Sequence, residues 1–244
     1  MFKSFKISYS FLLLSVLFML FTSCEKEEEL QYSEINITSM KDTKVVITIP
    51  KVVGESDVAQ KINGVLEQFV TSALQTDANE VSTMSLNTSV TNFNKAYKTF
   101  NKQVEQITFE ALPAWEAIIE GEKIYEDESL VSFSMSSNIN TGAAKSITKI
   151  TFLNFDKTTG KNLSFKNLIS DHIAFNSVLE KYLVQELMSN TKYTLKEFKT
   201  EGRLRNPDEL SFNDNGIIAL YRTNLNDFIE IAVPFSQIET YLNY

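Results

Sequence analysis

His172 is the only histidine of the 244 residues and Cys24 the only cysteine, and that scarcity limits the chemistry the chain can perform. Imidazole is the usual proton carrier near neutral pH. His172, however, stands beside Asp171 at the start of a predicted helix, where a capping or surface role is the expected use. One His and one Cys cannot complete a zinc site of ordinary composition, a Cys/His couple or a Ser/His/Asp triad. Carboxylates do occur in pairs: Glu120 with Glu122 on one strand face, and Asp208 with Glu209 before the last predicted hairpin. Such pairs are the acid and base of glycosidases; with no pocket legible around them, they read as solvated edges. Asp156 and Asp214 fit turn chemistry, and neither turn offers the oxygen ligands that calcium needs. The seven glycines are scattered singly, so no phosphate-cradling loop is present. These residues assign no catalytic group, no metal and no cofactor.

The elements that would position them follow from periodicity. Thr43 to Ile49 is rich in β-branched residues and is closed by Pro50, which predicts a strand. Ser56 or Asp57 can cap a helix carrying Val58, Ile62, Val65, Leu66 and Phe69 at helical spacing. Thr76 to Asn92 reads as a polar loop, and Phe93, Tyr97, Phe100, Val104 and Ile107 as the core-facing stripe of a second helix. From Trp115 the period becomes two, with strands expected at Trp115 to Glu120, Leu130 to Met135 and Ile147 to Phe155. A further strand is expected around Leu163 to Phe165, after a turn ending in Gly160. A helix from Ile173 to Met188 follows, then Leu210 to Phe212 and Ile217 to Arg222 flanking Asn213-Asp214-Asn215-Gly216. Phe228 to Val233 is the last strand and leads past Pro234 into a short helix. Runs of strands with helices set apart predict an α+β fold, an antiparallel sheet with helices packed on one face. Trp115, Phe133, Phe155 and Val233 are expected in one core.

Export is written at the N-terminus. Lys3 and Lys6 precede an apolar run from Phe11 to Phe21 that is too short to span a bilayer, which needs about 20 apolar residues. Leu20-Phe21-Thr22-Ser23-Cys24 resembles a lipobox, which predicts lipid on Cys24 and cleavage just before it. Losing residues 1–23 removes Lys3 and Lys6 and no acid, so the net charge of −8 becomes −10. That balance excludes a nucleic-acid footprint and favours a cationic partner. The predicted organisation is a signal peptide at 1–23, a lipidated Cys24 and charged tether over 24–42, an N-terminal region at 43–110 and a C-terminal α+β domain at 111–244 packed with it as one unit. Glu25-Lys26-Glu27-Glu28-Glu29 after the cysteine resembles the surface-export signal of Bacteroidetes lipoproteins. The expected location is therefore the outer membrane, on its outer or periplasmic face.

A family resemblance lies in the order of short motifs. Leu130-Val131-Ser132-Phe133, Asn140-Thr141-Gly142-Ala143-Ala144-Lys145, Asn154-Phe155-Asp156 with Thr159-Gly160-Lys161, Leu163 to Ile169, and Ile231 to Ile238 resemble the domain of unknown function outside the membrane in RsiV-type lysozyme-responsive anti-sigma factors. The same domain lies beside the catalytic domain of PdaC-type peptidoglycan deacetylases. Val45 to Val70, with Lys61-Ile62-Asn63, is similar to the region that precedes it. The family commonly has Thr-Gly-Gly-Ala-His where this chain has Thr-Gly-Ala-Ala-Lys, and Lys145 cannot act as a neutral base or metal ligand. The resemblance implies a non-enzymatic recognition module for lysozyme or a cell-wall glycan such as peptidoglycan. A carboxylate-dependent wall hydrolase or wall-modifying enzyme is the alternative.

Overall fold

The computed structural model describes residues 29–76, 84–108, 113–189, 192–224 and 227–243. Cys24, the predicted signal peptide at 1–23 and the start of the predicted tether lie outside the described residues.

Among the described residues, ten strands and four α-helices form an α+β fold. β1 (Tyr32–Ser39) and β2 (Lys44–Val52) pair antiparallel, with Ile35 opposite Ile49 and Ile37 opposite Ile47. β1 falls inside the stretch read as tether: its charges mark a solvent-facing edge, and its alternating Ile35 and Ile37 pack against the core. After β2 come α1 (Asp57–Ala73) and α2 (Leu86–Thr108), then β3 (Glu116–Glu126), which pairs with β2 in parallel. Parallel neighbours require a crossover, and the two helices supply it. Residues 43–110 and 111–244 therefore share one sheet. β4 (Leu130–Asn140) and β5 (Ile147–Asp156) complete the five-stranded order β1-β2-β3-β4-β5.

Side chains predicted to start and hold α1 do so. Ser56 Oγ accepts the Ala59 N–H, while Ile62, Leu66 and Val70 are fully buried. Asn63 fastens the helix to the sheet: its Oδ1 accepts the Val52 N–H and its Nδ2 donates to the Val52 carbonyl, both at 2.8 Å. Lys61 Nζ donates to the Thr159 carbonyl at 2.9 Å. The Lys61-Ile62-Asn63 motif is thus structural throughout.

The polypeptide beyond β5 departs from the predicted strand at Leu163 to Phe165. Only an isolated bridge from Phe155 to Asn162 forms, because Ser164 and Asn167 make a capping box that starts the short α3 (Phe165–Leu168). α4 (His172–Ser189) follows, then a two-residue hairpin of β6 (Lys199–Thr200) and β7 (Arg203–Leu204). β8 (Glu209–Asn213), β9 (Gly216–Arg222) and β10 (Phe228–Pro234) form a second antiparallel sheet in the order β10-β9-β8. The predicted 213–216 turn is present, with Asn213 Oδ1 accepting the N–H groups of Asn215 and Gly216 at 2.9 Å.

Two cores result. Val45, Ile47, Ile119, Phe133, Phe155 and Trp115 belong to the first, with α1 and the start of α2. Phe175, Leu179, Phe212, Tyr221 and Val233 belong to the second, with α4. Val233 therefore does not share a core with Trp115, Phe133 and Phe155; its strand belongs to the second sheet, which alternation within one strand does not reveal. A polar seam joins the halves. Ser132 Oγ donates to Asn154 Oδ1 at 2.7 Å, and Asn154 Nδ2 donates to the Leu210 carbonyl at 2.8 Å. At the edge of β5, the Phe152 N–H donates to Glu209 Oε2 at 3.0 Å.

The five-stranded sheet has two unlike ends. The start of β1, the end of β2 and the β3–β4 turn lie together at one end, with Glu29, Glu55, Asp57, Asp127 and Glu128. The start of β2, the start of β3 and the β4–β5 loop lie at the other, with Lys41, Lys44 and Lys145.

Candidate functional site

Trp115 immediately precedes β3 and is fixed there by its carbonyl, which accepts the Lys44 N–H at 2.9 Å. Its indole ring meets three aromatic rings of α2: Phe93 at 5.5 Å, Tyr97 at 5.8 Å and Phe100 at 5.5 Å between centroids. Thr43 donates to Asn94 Oδ1 through both its N–H and its hydroxyl, and Lys98 pairs with Asp42 at 3.0 Å, so α2 is pinned to the β1–β2 turn.

The α2 stripe was expected to be core along its whole length. Phe93 is buried, but Phe100 is 39% exposed and Ile107 is 78% exposed. Among the described residues, burial from this helix ends with Leu86, Val90 and Phe93, with Ala96 and Tyr97 partly covered, and Trp115 meets it as far along as Phe100. A cleft of about 420 Å³ opens where that cover stops. Phe100 and Trp115 form its aromatic wall, and Thr76, Asn92, Lys95, Thr99 and Gln103 supply its polar lining. Lys95, Thr99 and Gln103 recur at steps of four, which puts them on one helix face.

Trp115 is 7% exposed, and its Nε1–H is buried with no hydrogen-bond partner. A buried donor left unpaired costs about 1–3 kcal/mol and marks a place needing explanation. The Thr141 to Lys145 loop lies beside it: Gly142 has φ +88°, its N–H donates to Asn140 Oδ1 at 2.9 Å, and a methyl at Gly142 would stand 3.8 Å from Nε1. No carboxylate lines the cleft among the described residues. The arrangement suits stacking and hydrogen bonding, and it holds no pair of groups able to give and take a proton.

The sequence-predicted residues lie elsewhere. His172 opens α4 with its ring 5.0 Å from that of Phe165, while Asp171 caps the helix by accepting the N–H groups of Ile173 and Ala174. Glu120 and Glu122 lie exposed on β3, opposite Ser136 and Ser134. Asp156 accepts from the Thr159 N–H at 2.7 Å and from its hydroxyl at 2.8 Å, as a turn residue. Asp214 occupies the β8–β9 turn. Among the described residues no group of three or more His, Cys, Asp or Glu could hold a metal ion.

Asp208 and Glu209 flank a separate cavity of about 330 Å³ between the two halves. Asp208 accepts from Arg205 at 2.7 Å and from the Arg222 N–H at 2.6 Å. Burial pushes the Glu209 carboxyl above the usual range, partly opposed by the Phe152 N–H, the Thr151 side chain and the charge of Lys149. Each carboxylate of the pair is thus engaged by its own partners: Asp208 by Arg205 and the Arg222 N–H, Glu209 by the Phe152 N–H. At the acidic end, a cavity of about 550 Å³ includes Glu29, Val53 and Glu128 in its lining. Burial opposes the charge of nearby Glu126, but bonds from Lys123 at 2.6 Å and Lys157 at 2.8 Å hold its carboxyl below the usual range.

The family model described as deacetylase PdaC matches residues 37–148, which hold most of the first sheet, α1, α2 and the Trp115 cleft. A crystal structure of a DUF3298 family member from Bacteroides fragilis is similar at 16% identity with a TM-score of 0.64, over 88% of this chain and 94% of that one. A DUF3298 family protein from Pseudomonas aeruginosa is similar at 14% identity with a TM-score of 0.59, over 88% of this chain and 95% of that one. No curated protein matches. The resemblance read from the motifs is thus upheld: the N-terminal half matches the PdaC family model, and the fold is that of the DUF3298 structures.

Proposed function

We propose that the chain is a lipid-anchored extracytoplasmic recognition module, held in the outer membrane through Cys24, that binds a cell-wall glycan in the Trp115 cleft without turning it over. The observation that carries this reading is the wall formed by Phe100 and Trp115 inside a lining of polar side chains, Lys95 among them, that contains no carboxylate. Small-ligand sites combine apolar faces with a few placed donors and acceptors, and a sugar ring presents the complementary pattern. The alternative of a carboxylate-dependent hydrolase would require Glu120 with Glu122, or Asp208 with Glu209, to act as a pair, whereas the first two lie exposed on β3 and the second two are each engaged by their own partners. Among the described residues no helix is long and apolar enough to cross a membrane; the anchor of this reading is the lipid alone.

Sedimentation with purified peptidoglycan sacculi tests the reading. The intact chain in detergent should pellet with sacculi, Phe100→Ala should pellet several-fold less, and no soluble sugar or acetate should be released. Equal pelleting of wild type and Phe100→Ala would remove the cleft from the account.

A second reading keeps a cationic protein, lysozyme being the one the resemblance offers. It is supported by the acidic end and the net charge of −8. Surface plasmon resonance against lysozyme and the equally basic cytochrome c separates recognition from bulk charge. Equal weak binding to both would end this reading.

A further inference from the structure

The charge around the cleft is opposite to that of the protein. The chain carries a net −8, yet the end of the sheet that holds the cleft gathers Lys41, Lys44, Lys95, Lys98 and Lys145. Two of these are neutralised: Lys44 pairs with Glu116, and Lys98 pairs with Asp42. Lys41, Lys95 and Lys145 have no carboxylate partner among the described residues. Lys95 lines the cleft itself, across a lining that contains no acid. The buried Trp115 Nε1–H adds a second donor without an acceptor. A neutral sugar would leave the ammonium of Lys95 unused.

Resting on the glycan reading above, we infer that the cleft takes a saccharide carrying a carboxylate, with the sugar ring against Phe100 and the anion at Lys95. An ammonium donates to a carboxylate through a charge-assisted bond that a neutral hydroxyl cannot match. The exposed Phe100 ring offers an apolar face, and Thr99 and Gln103 provide neutral donors and acceptors one and two helical turns along from Lys95. The surrounding lysines raise the local concentration of anions even though the whole molecule is acidic. Carboxylated sugars arise in walls as muramic acid and in capsular polymers as uronic acids, and both share the required chemistry.

The chain supplies its own reporter, since Trp115 is its only tryptophan. The intact chain in detergent is titrated with three disaccharides while Trp115 emission and calorimetric heat are followed. One contains N-acetylmuramic acid, one contains glucuronic acid, and the third is the neutral dimer of N-acetylglucosamine. At least one acid sugar should bind about tenfold tighter than the neutral dimer, the factor expected of one charge-assisted hydrogen bond. Which acid sugar binds better identifies the source. Lys95→Gln should abolish that preference, bringing the acid sugars down to the level of the neutral dimer on the same variant, and Phe100→Ala should weaken all three. Lys95 is exposed, and far-ultraviolet circular dichroism of Phe100→Ala checks that losing its contact with Trp115 leaves the fold intact. Equal binding of charged and neutral sugars, or a preference that survives Lys95→Gln, overturns the inference and leaves the glycan reading standing. No binding of any sugar by either signal overturns both.

Discussion

Two cores joined by a polar seam make a prediction about energetic coupling. Phe133 and Phe155 are both fully buried in the first core with their rings 5.9 Å apart, nearly edge to face, and Phe212 is fully buried in the second. Phe133→Ala removes a whole buried ring and should cost about 3–5 kcal/mol. Phe→Leu is gentler, at about 1–2 kcal/mol each, and leaves enough stability for double variants. An aromatic pair contributes about 0.5–1.5 kcal/mol beyond burial, so the Phe133→Leu and Phe155→Leu cycle should show coupling of that size. Phe133→Leu and Phe212→Leu should add to within about 0.5 kcal/mol, as independent sites do. Urea unfolding followed by Trp115 emission and by far-ultraviolet circular dichroism measures all the variants, and the fluorescence signal reads the first core directly. Coupling between Phe133 and Phe212 as large as that between Phe133 and Phe155 would refute the division into two cores.

Three further outcomes are expected. Cys24→Ala should leave the protein unprocessed or release it from membranes; unchanged retention, with no acylated N-terminal peptide in the wild type by mass spectrometry, would remove the anchor. Asn154→Ala cuts the bonds to Ser132 and to the Leu210 carbonyl inside the seam, and should cost about 2–4 kcal/mol in the same urea melts. Because burial raises the Glu209 pKa in the folded state, its contribution favours folding below the unfolded carboxylate value and is lost as pH rises through the raised value. Glu209→Gln, whose amide oxygen can still accept the Phe152 N–H, should therefore melt higher than wild type at pH 7 and show a flatter profile upward from pH 4.

Much of this architecture is legible in the residues because local signals and tertiary packing agree. Ser56 with the Ile62, Leu66 and Phe69 stripe produces α1, and Asn213 to Gly216 produces the β8–β9 turn. Where they disagree, reading by period fails. The charge run Glu25 to Glu29 extends the expected tether to residue 42 and so over β1, whose polar Glu34 and Asn36 are what an edge strand shows on its free side. Phe100 completes a regular apolar stripe, and nothing in the spacing says that its ring, though it meets Trp115, stays exposed. Lys95, Thr99 and Gln103 look like any solvated helix face. They become a lining only when a residue 12 positions beyond Gln103, Trp115, folds back over the helix. The charge of −10 expected after cleavage points to a cationic partner because a sum over the sequence cannot show that Lys41, Lys95 and Lys145 gather at the cleft end while Glu29, Asp127 and Glu128 lie at the other.

With the lipid proposed on Cys24, that sorting would also set which way the molecule stands. The tether enters the domain at the start of β1, beside the acidic cavity, and the cleft opens where β2 begins. With lipid on Cys24, the eight residues to Tyr32 allow at most about 28 Å of slack, and the nine residues of β2 add about 30 Å of rigid height. On that proposal anionic headgroups would repel the acidic underside over roughly 10 Å, so lying flat or inverting would be penalised, and the cleft would be carried about a strand length above the membrane, within reach of polymer passing overhead. A cationic protein drawn to the acids would have to enter the narrow gap beneath, so the size of the partner, as well as its charge, separates the two readings.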